Sequence, residues 1–323
     1  MKRLTSITIF PALLIGATMI FYSATNAKSV YEWQNIAVSG KGCFPPNCEE
    51  GKFPMAIVPL VAFGGRLYSI GDTKVWTSAD GIDWNSQPKT DWGERHGMQF
   101  AFFNNKLWML GGMKSWDDFR NDVWSSVDGK DWKQVVSKAE WTARRGHGVV
   151  VFKNKLWILG GASSSGQRDK TPTEFLNDVW SSEDGINWTQ IIKNAPWSAK
   201  DGHTSLVFEN KIWVIGGKRD VWSSSHGKNW TQITDKAGWS ERIGCGGLVF
   251  DGKMWIFGGR EKNDIWYSTN GKNWQMAFEN APWRARSANY SVVFDDKIWL
   301  FSGKTGREDS WAGDIWAMSR KTE

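Results

Sequence analysis

Residues 148–191 read GVVVFKNKLWILGGASSSGQRDKTPTEFLNDVWSSEDGINWTQI, and the fold follows from this stretch. Apolar residues alternate up to Phe152. Lys153-Asn154 makes a two-residue turn, and Leu156–Leu159 runs on to Gly160-Gly161. A third short run centres on Val179-Trp180 and ends in the turn Asp184-Gly185, and a fourth begins at Trp188. Period-2 runs separated by turn residues predict four short antiparallel strands.

The same unit recurs along the chain. Its second strand is NKLWMLGG (105–112), NKLWILGG (154–161), NKIWVIGG (210–217), GKMWIFGG (252–259), DKIWLFSG (296–303) and a worn GRLYSIGD (65–72). Each is followed by a third-strand Trp, at 76, 124, 180, 222, 266 and 316, with separations of 48, 56, 42, 44 and 50 residues. In the first five units a fourth-strand Trp stands eight residues further on, at 84, 132, 188, 230 and 274. Four strands per unit of about 48 residues, without 3.6-residue periodicity, predict an all-β propeller of six blades. The last unit stops at DIWAMSRKTE without a fourth strand, and YEWQNI (31–36) looks like the missing NWTQI. The N-terminal strand is therefore expected to close the last blade, with Trp33 in the fourth-strand position.

This arrangement resembles the kelch-repeat family of β-propellers, and in particular its exported, six-bladed, bacterial-type members with a galactose-oxidase-like central domain. The diglycines, the spaced Trp pairs (Trp124 and Trp132, Trp180 and Trp188) and RRGH (144–147) carry the resemblance over about residues 30–320. Blade one departs from it, having Gly71-Asp72 and neither the Arg nor the His of strand one. The SxDGxxW turn is similar to, but shorter than, the Asp-box turn of sialidase propellers.

The 24 tryptophans reduce to this register. Second strands hold five, third strands six, fourth strands six with Trp33, and the linkers five (Trp92, Trp141, Trp197, Trp239, Trp283). Trp116 and Trp311 are left over. Both lie in long connections between strands two and three, in blades two and six; a third long connection, 162–176, is in blade three. Variable loops on a rigid ring are where binding usually sits. A Trp face beside carboxylates can stack on a sugar ring and bond its hydroxyls. The candidate ligand-binding residues are accordingly Trp116, Asp117, Asp118, Arg120, Arg168, Arg307, Asp309 and Trp311; the alternative is that both tryptophans fold back as plugs.

A basic residue stands three after each linker Trp: Arg95, Arg144, Lys200, Arg242 and Arg286. Such a set could ring one mouth of the axial channel and attract an acidic ligand. Arginine here also belongs to the kelch pattern, where it often braces neighbouring blades, and His147 and His203 follow the same pattern.

The resemblance admits enzymes. Galactose oxidases need Tyr and His copper ligands and a cysteine crosslink, whereas Tyr31, Tyr68, Tyr267 and Tyr290 and the four His are dispersed over the repeats. Sialic-acid mutarotases need an acid and a base near an anion-binding arginine; Glu94, Glu241 and the basic ring leave that alternative open. Phosphate-loop, Ser-His-Asp and metal motifs are absent. The expected function is a non-catalytic binding module for a glycan or protein surface, with no cofactor and no metal.

The net charge is +6, and residues 1–27 contribute Lys2 and Arg3 without an acid. No like-charge run supports nucleic-acid binding. Residues 1–27 read as a signal peptide: a basic start, an apolar run over 7–22 and small residues before Ala27; an uncleaved anchor is the alternative. The mature domain, 28–323, is expected in the periplasm or outside the cell, monomeric and without stable membrane insertion. Cys43 and Cys48 bracket FPPN and are expected to pair as a disulfide if exported, or to remain free thiols. Cys245 is left over as a small buried residue.

Overall fold

The computed structural model describes residues 20–22, 30–36, 59–71, 74–115, 117–164, 173–306 and 312–321. It is an all-β ring of six four-stranded antiparallel blades, a six-bladed propeller. Among the described residues there is no helix.

Blade one is β3 (Leu60–Phe63), β4 (Arg66–Ile70), β5 (Lys74–Ser78) and β6 (Asn85–Lys89). Blade two is β7 (Gln99–Phe103), β8 (Lys106–Ser115), β9 (Asp118–Ser126) and β10 (Lys133–Val136). Blade three is β11 (Gly148–Phe152), β12 (Lys155–Ser164), β13 (Thr173–Ser182) and β14 (Thr189–Ile192). Blade four is β15 (Thr204–Phe208), β16 (Lys211–Ile215), β17 (Val221–Ser224) and β18 (Thr231–Thr234). Blade five is β19 (Gly246–Phe250), β20 (Lys253–Gly259), β21 (Lys262–Ser268) and β22 (Gln275–Phe278). Blade six is β23 (Tyr290–Phe294), β24 (Lys297–Phe301) and β25 (Ile315–Arg320), completed by β2 (Tyr31–Ile36). A three-residue strand, β1 (Ile20–Tyr22), lies antiparallel on the outer edge of β2, Ile20 opposite Asn35.

Local chemistry sets both hairpin turns. Between strands one and two, Lys153 and Asn154 take left-handed φ of 49° and 55°, and Asn104-Asn105 and Glu209-Asn210 do the same. That conformation matches the twist of a two-residue hairpin and suits Asn. Between strands three and four, Ser182 Oγ accepts the Gly185 amide at 2.7 Å, and Asp184 Oδ1 accepts the amides of Ile186 and Asn187 at 2.8 Å. Burial works against the Asp184 carboxylate, but these amides outweigh it and bring its pKa down to about 2.

This second turn also locks neighbouring blades together. Gly185 lies flat on the indole of Trp108 in the preceding blade, where a Cβ would stand 2.3 Å from the ring. Gly227 lies on Trp157 and Gly271 on Trp213 in the same way, and Gly81 of blade one lies on Trp299 of blade six. The second-strand indoles are oriented by their own N–H, which Trp108 donates to the Phe103 carbonyl at 2.8 Å and Trp157 to that of Phe152 at 2.9 Å. Linker tryptophans meet fourth-strand tryptophans edge to face: Trp92 with Trp132, Trp141 with Trp188, Trp197 with Trp230 and Trp239 with Trp274. Such aromatic pairs add about 0.5–1.5 kcal/mol each beyond their burial.

The ring closes as the repeat requires. β2 pairs along its whole length with β25, from Tyr31 opposite Arg320 to Ile36 opposite Ile315. No covalent turn joins these strands, and among the described residues no turn glycine covers Trp255 of blade five. Tyr31 covers it instead, edge to face with centroids 5.1 Å apart. The Tyr31 hydroxyl donates to Asp251, Lys253 Nζ donates to both, and Arg320 reaches Asp251 at 2.8 Å. Cys43 and Cys48, expected just after this strand, lie outside the described residues, as does most of the expected leader.

Two of the expected long loops are strand at both ends. In blade two β8 and β9 run on past Gly112, with Gly112 opposite Arg120 and Ser115 opposite Asp118. In blade three the pairing continues from Gly161 opposite Leu176 to Ser164 opposite Thr173. The alternation was interrupted by the diglycine, which reads as a strand end but is accommodated as a register shift inside a continuing hairpin.

Candidate functional site

The five basic residues after the linker tryptophans do not face the channel. Arg144 is fully buried, and its Nη1 and Nη2 donate to the two carboxylate oxygens of Asp178, both at 2.7 Å. Arg95 grips Asp122, Arg242 grips Asp264 and Arg286 grips Asp314 in the same fork, while Lys200 Nζ reaches Asp220 at 2.9 Å. Each aspartate also accepts the indole N–H two residues on, as Asp178 does from Trp180 at 2.7 Å. Burial raises the Asp264 and Asp314 carboxyls, but the arginine and indole bonds outweigh it and hold both low. These charges are consumed inside single blades, tying strand one's entry to strand three, so the expected basic ring is a set of braces within blades and not between neighbouring ones. Blade one, with Lys74 where the aspartate would be, has neither partner of the brace.

The mouth is built from the next two positions. Gly146 N donates to the Gly97 carbonyl at 2.9 Å, Gly202 N to Gly146 at 2.9 Å, Gly244 N to Gly202 at 2.8 Å and Ala288 N to Gly244 at 2.8 Å. This circumferential chain of amides joins blades two to six at the entry of their innermost strands. Its members all have left-handed φ, between 54° and 68°, which explains glycine at four of the five. Over it lie the side chains of the residues just before: Arg145 over Gly97, Asp201 over Gly146, Ile243 over Gly202 and Ser287 over Gly244, each with an atom within 3.4 Å of where a Cβ would be. His96 precedes Gly97 and is exposed.

Arg145 and Asp201 form an ion pair at 3.2 Å, both partly shielded from water. Burial raises the Asp201 carboxyl, and Arg145 only partly offsets this. These residues carry no repeat signal, unlike the positions on either side of them. That is itself the available sign: in blades two to six this position changes every time, between a retained Arg or Lys and a residue that is Gly in four of the five.

The extended hairpins of blades two and three rise side by side from this rim, while β16–β17 and β20–β21 end at once. Asp117 and Arg120 are exposed at the blade-two tip; Arg120 Nη2 donates to Asp118 at 2.7 Å and Ser115 Oγ to Asp117 at 2.5 Å. Trp116, Arg168, Arg307, Asp309 and Trp311 lie outside the described residues. Glu241 is exposed with Arg260 at 3.9 Å, and Glu94 is exposed too.

His147 and His203 are buried between blades. His147 packs on Gly111 and Gly161. Burial is the main reason both pKa values fall, that of His203 to about 3. Cys245 holds the equivalent place in blade five, its thiol raised by burial. No group of three or more His, Cys, Asp or Glu able to hold a metal occurs among the described residues. No helix among them is long and apolar enough to cross a membrane.

The blades, seam and rim define a six-bladed β-propeller with one built-up side. Among solved structures it is similar to the one titled "Structure of YjhT", with a TM-score of 0.67 over 82% of this chain and 95% of that one, at 16% identity. A likeness at that identity is one of fold. No family model matches the sequence, and no curated protein does.

Proposed function

We propose that this chain is an exported kelch-type propeller that serves as a non-catalytic binding module, taking a glycan or a protein surface on the rim raised by blades two and three and completed by blade six. The observation that carries the reading is the asymmetry of that rim. Two adjacent hairpins extend past the diglycines, whereas the equivalent connections in blades four and five are minimal. A ring whose scaffold repeats so closely has no packing need for that wall, and irregular additions on a rigid frame are where recognition usually lies. Asp117, Asp118 and Arg120 present acceptors and donors at its tip, next in sequence to Trp116. Of the remaining candidates, Arg168 belongs to the blade-three connection, and Arg307, Asp309 and Trp311 to that of blade six. The mature protein is proposed to work as a monomer outside the cytoplasm, without cofactor or metal.

The test is a glycan-binding screen of the mature protein, with NMR of the anomers of N-acetylneuraminate and neutral sugars alongside. The expected result is binding that the double variant Trp116→Ala, Trp311→Ala abolishes, without faster anomer exchange. Accelerated exchange would replace this reading with a sugar mutarotase on the same rim. Binding untouched by the double variant would remove the proposed site.

A further inference from the structure

Five blades bring the same three-residue entry to the axis: Arg95-His96-Gly97, Arg144-Arg145-Gly146, Lys200-Asp201-Gly202, Arg242-Ile243-Gly244 and Arg286-Ser287-Ala288. The flanking positions hold their type because each has a structural task, the basic residue as a brace and the glycine as a link of the amide ring. The middle position is His, Arg, Asp, Ile and Ser in turn. This side chain differs in every copy, while the position before it is always Arg or Lys and the one after it is Gly in four copies and Ala in the fifth, so the repeated scaffold does not prescribe it.

Its backbone is nevertheless held at four of the five, and at Asp201 on both sides, where Lys200 N donates to the Leu176 carbonyl at 3.1 Å and Gly202 N to that of Gly146 at 2.9 Å. His96 exchanges two hydrogen bonds with Met113, at 2.8 and 2.9 Å, and Arg145 two with Ala162, at 2.9 and 3.0 Å. Ser287 exchanges two with Lys304, at 3.0 and 2.7 Å, and the Ile243 carbonyl accepts the Arg260 amide at 3.0 Å. Side chains on fixed backbone around one axis make a preorganised site.

The chemistry of that site is specific in kind. Arg145 and Asp201 set a fork of donors beside a carboxylate acceptor, 3.2 Å apart and without net charge. A hydroxyl both donates and accepts and can use both groups, whereas an anion would face the Asp201 carboxylate and a cation the Arg145 guanidinium. Ile243 follows at once around the ring, 48% exposed, an apolar surface matching the C–H face of a pyranose. Ser287 adds a further hydroxyl beyond it.

From this geometry we infer that the axial mouth is a subsite for one neutral, polyhydroxylated sugar ring, hydrogen-bonded by Arg145 and Asp201 and packed on Ile243. The inference rests on the binding-module reading and narrows it to a glycan whose end or branch reaches the axis.

Calorimetric titration of the mature protein with cellotetraose, mannotetraose, chitotetraose and tetragalacturonate tests it. At least one neutral tetrasaccharide should bind, with tetragalacturonate at least tenfold weaker. Asp201→Asn should weaken the neutral ligand at least tenfold while the thermal midpoint holds. Should Asp201→Asn unfold the protein, Ile243→Ser, at an exposed side chain, should produce a loss of the same order. Stronger binding of tetragalacturonate overturns the inference. So does neutral binding that survives both mouth variants but falls with Arg120→Gln, an outcome that leaves the rim reading standing. Failure of all four sugars to bind overturns the mouth site, while a protein ligand on the hairpins would still satisfy the rim reading.

Discussion

Trp33 meets Trp283 edge to face with ring centroids 4.4 Å apart, the same contact that Trp274 makes with Trp239 at 4.4 Å inside an unbroken run of chain. The N-terminal strand thus occupies the fourth-strand place of blade six in its packing as well as in its pairing. Removing this buried indole leaves a cavity at the seam, and Trp33→Ala should destabilise the mature protein by about 3–5 kcal/mol. Urea unfolding measures it; a loss as small as that of an exposed substitution would contradict closure by this strand.

The seam carries an acid-labile latch. The bond from Tyr31, opposed by burial and aided by Lys253 and Arg320, holds Asp251 at about 2, against an ordinary 3.8. A carboxylate depressed on folding contributes stability that is present above its unfolded pKa and lost as pH falls through the folded one. Wild type should therefore lose its stability advantage over Asp251→Asn between about pH 4 and pH 2. Urea midpoints of the two proteins across that range should converge.

A second pH window belongs to His203. Its imidazole is buried neutral with a pKa near 3, below the ordinary 6.5. The unfolded chain binds a proton that the folded one refuses, so stability is full above the unfolded value and falls as pH drops from 6.5 toward 3. His203→Asn, which copies Asn289 of blade six, should flatten that slope. An unchanged slope would show that the ring is not buried neutral.

The braces should behave as buried pairs. Asp178→Ala leaves Arg144 buried and charged and should cost about 3–5 kcal/mol. The double variant Arg144→Met, Asp178→Leu should recover most of it, because paired apolar replacements remove the uncompensated charge. A double-mutant cycle by chemical denaturation decides; additive losses would argue against the pairing.

The glycines of the amide ring should be intolerant of a methyl group. At Gly244 the backbone is left-handed and a Cβ would stand 2.8 Å from the Ala288 nitrogen, while Gly65, also left-handed, has open space around it. Gly65→Ala should cost about 1–2 kcal/mol for the backbone alone, and Gly244→Ala distinctly more. Equal losses in thermal or urea unfolding would mean that the close approach at the axis is absent.

The repeat made the blades, their number and the closing strand legible from residues alone, because each blade uses the same local devices. An Asn in a left-handed turn, a Ser-x-Asp-Gly corner and an indole at fixed spacing act within a few residues, so their chemistry shows in the order of the chain. What those devices meet was decided by the ring. Successive side chains point to opposite sides, so Arg144 turns into its blade toward Asp178 while Arg145 turns out over Gly97. No spacing rule separates the two, since the deciding contacts come from elsewhere in the chain and, for Arg145, from the neighbouring blade. The diglycine likewise reads as a strand end, yet in blades two and three pairing across the hairpin carries the strands beyond it. Local chemistry in the sequence determined the frame; the path of the rim and the chemistry of the mouth depend on contacts that exist only once six blades stand in a circle.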